Sequence, residues 1–281
     1  MPRPVVVAKQ AACREARAPA KRVAVPHKLA PRFAAAAIAC MLSIQGAPAL
    51  AGDAETSAAL SKMAASLQNT ETPVYFGSGC FWGRQHDFFV AEGKMGRQAE
   101  KSTAIVGYAG GAGGASKDGK VCYYSGPKDA LYEKLGHAEV VAVGLDAGSE
   151  EAQFRMFAKE FFKQFNKTPL GMMRQDPQDT GSGYRNVVGL PGGTDSPLMR
   201  ILQEENVNKM ALLPGKGNEP DKINTVYIMD TDKFPFYRAE VYHQYHNGIG
   251  KAFENDYTFG AKKTALKRGL IGGTGCPDIG F

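Results

Sequence analysis

The sequence predicts an α+β domain rather than a regular doubly wound sheet, and three observations carry that expectation. Segments of strand character and of helical period are interleaved, but at irregular spacing. No stretch repeats internally. Neither a Gly-x-Gly-x-x-Gly turn after a strand nor a phosphate-binding loop is present, so no nucleotide site is signalled.

The elements follow in order. PVYFGSG, residues 73–79, is apolar and runs into glycines, which predicts a short buried strand entering a turn. Apolar spacing from Trp82 to Val90 suits a helix. KSTAIVGYAGG, 101–111, predicts a strand with a glycine-rich stop, and 111–130 an irregular loop. HAEVVAVGLD, 137–146, has β-branched strand character. In the segment that follows, Ser149 is a candidate N-cap and Glu150 and Glu151 suit a first turn. Phe154, Phe157, Phe161 and Phe165 recur there at helical spacing, a stripe that reads as core. Residues 179–193 predict a loop leading into a strand. Ser196-Pro197 opens a helix expected to reach about Leu213. INTVYIMD, 223–230, predicts a strand, and FYRAEVYHQYHNG, 236–248, a helix ending at glycine. The closing GLIGGTGCPDIGF predicts a mobile glycine-rich tail.

At 281 residues, 43% hydrophobic and 22% charged, the composition is that of an ordinary globular protein. The formal charge of +6 is unevenly placed. Residues 1–52 hold 8 of the 34 Lys/Arg and one of the 28 acids, which leaves 26 basic and 27 acidic residues beyond them. The basic character belongs to the N-terminal segment, and the body gives no support to a nucleic-acid partner. Within that segment, FAAAAIACMLSI is followed by Ala49-Leu50-Ala51, a small-residue cleavage pattern. The apolar run is shorter than the roughly 20 residues a membrane span needs. Residues 1–51 read as a targeting presequence in two parts, of the kind that leads into a chloroplast and on to the thylakoid lumen. A long export signal to the periplasm or outside the cell, and an uncleaved disordered arm, are the alternatives. Residues 52–72 read as a linker, 73–253 as the folded domain and 254–281 as the tail. No membrane association is expected of the mature form, and a monomer is expected.

Cys13 and Cys40 would leave with the presequence, so the mature chain holds Cys80, Cys122 and Cys276. Three thiols make no disulfide framework, and none has zinc-site spacing. Cys80 lies in GSGCFWG, 77–83, where a strand ends, glycines turn the chain and a helix begins. A thiol there sits in the positive end of the helix dipole, which favours the reactive thiolate. Phe81 and Trp82, the only tryptophan, are placed to wall a small apolar pocket beside it. A buried structural cysteine needs no such framing.

These residues resemble the type A peptide methionine sulfoxide reductase family. Its nucleophile motif stands intact as Gly79-Cys80-Phe81-Trp82-Gly83. GYAGG at 107–111, GHAEVV at 136–141, Asp179-x-Gly-x-x-Tyr184-Arg185 and AEVYHQ at 239–244 match further family motifs, in the family's order. The resemblance spans roughly residues 73–250 and implies a two-layer α/β sandwich with a ferredoxin-like core. It implies reduction of methionine-S-sulfoxide, free or in proteins, as repair after oxidative damage, without metal or other cofactor. Cys80 is then the attacking thiolate, Phe81 and Trp82 hold the S-methyl group, and Glu139 delivers a proton to the oxygen. Tyr108, Asp179 and Tyr184 form a polar ring around it. Cys276 is expected to resolve the sulfenic acid as a disulfide, with Cys122 the alternative, and thioredoxin or a similar dithiol to restore the enzyme.

The chemistry agrees with that assignment. A thiolate attacking a sulfoxide needs the departing oxygen protonated, hence a carboxylic acid kept neutral near neutral pH by burial. Glu139 opens a strand rich in Val and Ala, which suits burial. Three departures touch substrate preference rather than reaction: Gly183 where the family has glutamine, His246 where tyrosine is common, and the glycine-rich 111–130 loop. A non-catalytic thiol sensor on the same fold is the competing reading, since it need not keep Glu139, Asp179 or Trp82. A Cys-His hydrolase lacks a base presented to Cys80. His243 and His246 lie three apart, with no third ligand marked for a metal.

Overall fold

The computed structural model describes residues 71–176 and 178–278. The presequence and nearly all of the linker lie outside them. The described elements are β1 (Glu71–Gly77), α1 (Phe81–Lys94), β2 (Ile105–Ala109), β3 (Ala138–Asp146), α2 (Glu150–Lys163), β4 (Phe165–Thr168), β5 (Gly171–Arg174), β6 (Val187–Leu190), α3 (Met199–Glu205), β7 (Ala211–Pro214), β8 (Thr225–Asp230), β9 (Tyr237–Arg238) and α4 (Lys262–Lys267). Among the described residues no helix is long and apolar enough to cross a membrane.

Seven strands form one mixed sheet in the order β7-β8-β6-β1-β3-β2-β9. Its centre, β6-β1-β3-β2, is antiparallel throughout and is threaded β1-α1-β2-β3-α2-β6. That is the ferredoxin-like split β-α-β arrangement. Parallel β8 and β7 extend it at one edge. The helices pack on one face. There Val74, Phe76, Val106, Val141 and Val143 of the sheet meet Phe88 of α1 and Phe154, Phe157 and Phe161 of α2 in one core. The opposite face, with Tyr75, Val140, Val187 and Tyr227, is backed in part by Phe234 and Phe236. The result is an α+β fold of two layers.

The phenylalanine stripe of α2 is core, as its period requires. Phe154, Phe157 and Phe161 are all fully buried, each contributing about 1.5–3 kcal/mol by leaving water. Ser149 does stand at the N-cap of α2, but its side chain makes no capping bond. The connection from α1 to β2 is held by Glu92, fully buried in α1. Its carboxylate accepts the Thr103 and Ala104 amides at 2.9 and 3.3 Å and pairs with Arg97 at 3.0 Å.

Three expectations change in the fold. The helix opened at Ser196-Pro197 ends at Glu205, and 211–214 is strand β7 instead. Residues 165–174 turn back as the β4–β5 hairpin. The expected helix over 236–248 does not form: 237–238 pairs with β2 and only Val241–His243 makes a helical turn. The reason lies in Gln244 and Tyr245. The Gln244 amide bonds both backbone groups of Val106, accepting at 3.0 Å and donating at 2.8 Å, and so acts as an added sheet partner. Tyr245 then takes φ +52°, a left-handed conformation no helix interior contains.

Candidate functional site

Cys80 is positioned by the end of β1. Gly77 sits so close to β3 that a Cβ there would lie 2.7 Å from the Glu139 carbonyl oxygen. Gly79 turns the chain at φ +86°, a conformation that suits glycine, and its N–H donates to the Tyr184 carbonyl at 3.1 Å. Cys80 follows in extended conformation as the N-cap residue of α1 and makes no side-chain capping bond. The cap comes from across the sheet: the Phe81 amide, first of the helix, donates to Glu139 Oε2 at 3.0 Å. A carboxyl group and a thiol thus share one helix N-terminus.

Glu139 is fully buried on β3, and its Oε1 accepts the Tyr132 hydroxyl at 3.4 Å. Tyr108 is its neighbour across the β2–β3 pair. The Tyr108 hydroxyl donates to Glu240 Oε2 at 2.7 Å, while its ring stacks on Tyr132 with centroids 4.7 Å apart. Burial raises both phenols well above the usual tyrosine range, with Glu240 adding most of the rest for Tyr108 and Glu139 for Tyr132. Both hydroxyls therefore remain donors near neutral pH. The Glu240 carboxyl is itself pushed up, chiefly by burial.

Trp82 is buried, and its Nε1–H donates to His243 Nδ1 at 3.2 Å. Burial, with His246 and Lys262 nearby, lowers the His243 pKa to about 3, so the ring is the neutral acceptor this bond needs. His246 stacks on the indole at 3.9 Å, the position where the motif departs from the common tyrosine. Phe81 packs against Tyr108 and His243, at 5.9 and 5.3 Å between centroids.

The 174–185 loop supplies the other predicted residues. Tyr184 is buried in a short helical turn, Ser182–Tyr184, near enough to Tyr132 to influence its hydroxyl. Asp179 is also buried, anchored through its carbonyl by Arg174 at 2.6 Å, and its Oδ2 has no hydrogen-bond partner among the described residues. Burial and then the neighbouring Asp176 push its pKa up to about 6. Arg174 in turn makes a two-pronged pair with Asp221, at 2.8 Å for each bond.

Two cavities lie in this region. The larger, about 520 Å³, is lined by Met172, Arg174 and Asp221 among others and includes none of the predicted site residues. The smaller, about 190 Å³, includes Cys80 together with Arg84, Asp87, Asp176 and Lys251. Of the predicted site residues only Cys80 lines the smaller one; Phe81 and Trp82, expected to wall a pocket beside it, do not, nor does Glu139.

Cys276 is joined to Cys122, with Cα atoms 5.6 Å apart, and Cys80 takes no part in that disulfide. The end of the chain is fixed beyond it as well. Asp278 accepts the Val241 and Tyr242 amides at 2.8 and 2.9 Å, capping the turn that carries His243. A Glu240 oxygen lies within 4.8 Å of both sulfurs. The tail expected to be mobile is thus tied to the 121–125 and 240–242 segments. Residues 256–267, placed with the tail on sequence, are helical and pack Tyr257, Ala261 and Ala265 against Tyr245.

Beside the residues singled out on sequence, Cys80, Phe81, Trp82, Glu139, Tyr108, Tyr184 and Asp179, the structure places Tyr132, Glu240 and Arg84, which the sequence reading did not single out. Tyr132 stands in an irregular loop with no flanking signal. Glu240 was visible only as a letter of the 239–244 motif. Arg84 follows Cys80 by four residues, the spacing that puts two side chains on one helix face, and that spacing was the signal available.

The split β-α-β sheet with a cysteine capping its first helix and a carboxyl on that helix's first amide defines a thiol-centred α+β domain. Comparison with known proteins narrows this. The model of the family "Peptide methionine sulfoxide reductase" matches residues 72–268. The human mitochondrial peptide methionine sulfoxide reductase is 33% identical over 171 residues, covering 60% of each chain. The reductase MsrA of Pseudomonas aeruginosa is 33% identical, over 61% of this chain and 66% of that one. A solved methionine sulfoxide reductase A of Corynebacterium diphtheriae is 19% identical, covering 63% of this chain and 73% of its own, with a TM-score of 0.39. The matched region spans about 60% of the length of the human relative. The chain belongs to the type A peptide methionine sulfoxide reductase family.

Proposed function

We propose that the protein reduces methionine-S-sulfoxide to methionine. The observation that carries the reading is the Phe81 amide bonded to Glu139, which puts a buried carboxyl beside Cys80 at one helix terminus. In this mechanism the Cys80 thiolate attacks the sulfoxide sulfur, and Glu139 as the carboxylic acid protonates the oxygen. Tyr132 and Tyr108 keep their hydroxyl protons and position the carboxyls around that oxygen. Oxygen passes to Cys80, methionine leaves, and Cys80 remains as sulfenic acid. Cys276 as a thiol condenses with it and releases water, forming a Cys80–Cys276 disulfide. Cys122 as a thiolate then attacks Cys276 and frees Cys80, leaving Cys122–Cys276 for a dithiol such as thioredoxin to reduce. The disulfide present supports this order, because its partners are the two cysteines other than Cys80.

The protein acts as a monomer, after loss of its presequence, in the thylakoid lumen of a chloroplast. The basic, acid-poor leader followed by an apolar run and Ala49-Leu50-Ala51 supports that location. A mature chain found by mass spectrometry to begin before residue 45 would overturn it.

Reduction of a methyl sulfoxide with dithiothreitol tests the activity. The wild type is expected to turn over, with the S epimer consumed, and Cys80→Ser to lose turnover. A Cys80→Ser variant as active as its parent would end the proposal.

A further inference from the structure

Reduction changes what surrounds Glu240. In the oxidised protein the sulfurs of Cys122 and Cys276 are bonded to each other, and a Glu240 oxygen lies within 4.8 Å of both. A dithiol reductant puts two electrons and two protons into that bond and leaves two thiols. Both thiols then stand beside one carboxyl group. Cys122 and Glu240 are buried, while Cys276 is half-buried and leaves a way in from solvent.

The carboxyl group is already oriented. The Tyr108 hydroxyl donates to Glu240 Oε2 at 2.7 Å and the Tyr123 amide to Oε1 at 2.8 Å. Each carboxylate oxygen keeps a second lone pair. Hydrogen bonds of this kind fix the carboxylates that ligate metals, and losing them costs about 10–100-fold in affinity. The distances suit a chelate as well. A tetrahedral ion with Zn–S near 2.3 Å and Zn–O near 2.0–2.2 Å sets its ligand atoms roughly 3.5–3.8 Å apart. The cysteine Cα atoms are 5.6 Å apart, so rotation about either Cα–Cβ bond can part the freed sulfurs that far. The carboxylate then closes by at most about 1 Å. Two thiolates and a carboxylate suit Zn²⁺, whereas Mg²⁺ and Ca²⁺ take oxygen ligands. Three protein ligands leave a fourth position for water.

We propose that the reduced protein binds one zinc-type divalent cation through Cys122 Sγ, Cys276 Sγ and a Glu240 carboxylate oxygen, and that the disulfide form does not. Binding releases the protons of both thiols, and of Glu240 where it carries one, and no electron moves. The ion and the disulfide compete for the same two sulfurs. Resting on the reductase reading, the ion also keeps Cys276 from condensing with a Cys80 sulfenic acid. It slows recycling and leaves the first oxygen transfer intact.

The test uses the full chain, oxidised or reduced, with the reductant removed in the absence of oxygen. Each form is titrated with Zn²⁺ against a chromophoric chelator, and with Co²⁺, whose thiolate charge-transfer absorption counts sulfur ligands. The reduced wild type is expected to bind one equivalent, with two thiolates on Co²⁺, and the oxidised protein none at the same concentrations. Cys80→Ser should bind as the wild type does, and Cys276→Ser should lose the two-thiolate signal. Glu240→Gln should weaken Zn²⁺ binding by about tenfold or more. Equal binding by oxidised and reduced wild type would overturn the proposal, and that comparison needs no variant to fold. So would loss of the site in Cys80→Ser, or an unchanged affinity in Glu240→Gln. The effect on recycling is read in a single turnover on methionine-S-sulfoxide without reductant. Methionine should form with or without Zn²⁺, while a dimedone-type sulfenic-acid trap labels Cys80 chiefly when Zn²⁺ is bound. Equal labelling would overturn the effect on recycling. A reduced wild type that binds Zn²⁺ and forms no methionine in its absence defeats the reductase reading and leaves the metal site standing.

Discussion

Replacing Cys122 with serine removes the crosslink to Cys276. The two cysteines are 154 residues apart, so the crosslink closes most of the described domain into one loop. In the chain-entropy account, closing a loop of that length removes about 17 cal/mol/K from the unfolded ensemble, or about 5 kcal/mol at 25 °C. Measured values often fall short, so a loss of about 2–5 kcal/mol is expected. Native contacts offset little of the difference, because the Asp278 bonds to Val241 and Tyr242 and the burial of Ile271 are present with or without the disulfide. Urea unfolding of the oxidised wild type and of Cys122→Ser carrying Cys80→Ser as well, so that Cys276 has no other thiol to join, each analysed for midpoint and slope, measures the loss. Adding a dithiol reductant should bring the wild type to the variant's midpoint and leave the variant where it is. Coincident midpoints for the two oxidised proteins would refute the reasoning. So would peptide mapping of the resting oxidised protein that finds Cys80 joined to Cys276, with Cys122 a thiol.

Two further perturbations probe the site. Glu139→Gln keeps an oxygen to accept the Phe81 amide but no acidic proton, so turnover should fall by about 10²–10⁴-fold while Cys80 still reacts with a thiol reagent. Steady-state rates within tenfold of the parent would rule out Glu139 as the acid. The Asp179 carboxyl is raised from 3.8 to about 6 by burial, so between those values the folded protein holds a proton that the unfolded chain has lost. Stability should therefore fall as pH rises through that window, by at most about 3 kcal/mol, and Asp179→Asn should remove that share of the slope. Urea midpoints measured from about pH 4 to pH 6.5 check this; an unchanged slope in the variant would exclude Asp179 as its source.

Local pattern carried a large part of the molecule. The α+β class, the β1 strand, the phenylalanine stripe of α2 and the glycine-framed Cys80 all follow from periodicity, turn chemistry and short motifs, which act over a few residues. Glu139 was singled out through the family resemblance; on composition alone a glutamate at the start of a strand reads as exposed, and its full burial is what the structure adds. Where the reading failed, the deciding partner was distant. Gln244 leaves the helical pattern of 236–248 because Val106, 138 residues away, offers its backbone groups. Tyr108 turns its hydroxyl to Glu240, 132 residues on, and no spacing in either segment encodes that bond. The pairing of Cys276 with Cys122 depends on where the chain end packs, against 121–125 and 240–242. The presence of a thiol, an acid and an aromatic wall was thus settled by residue identity at short range. Which carboxyl meets which hydroxyl, and which charges share a cavity with Cys80, was settled only when the sheet brought β1, β3 and the 240–253 segment together. Hydrogen bonds and charge pairs act over a few ångströms in space, and chain distance does not constrain them.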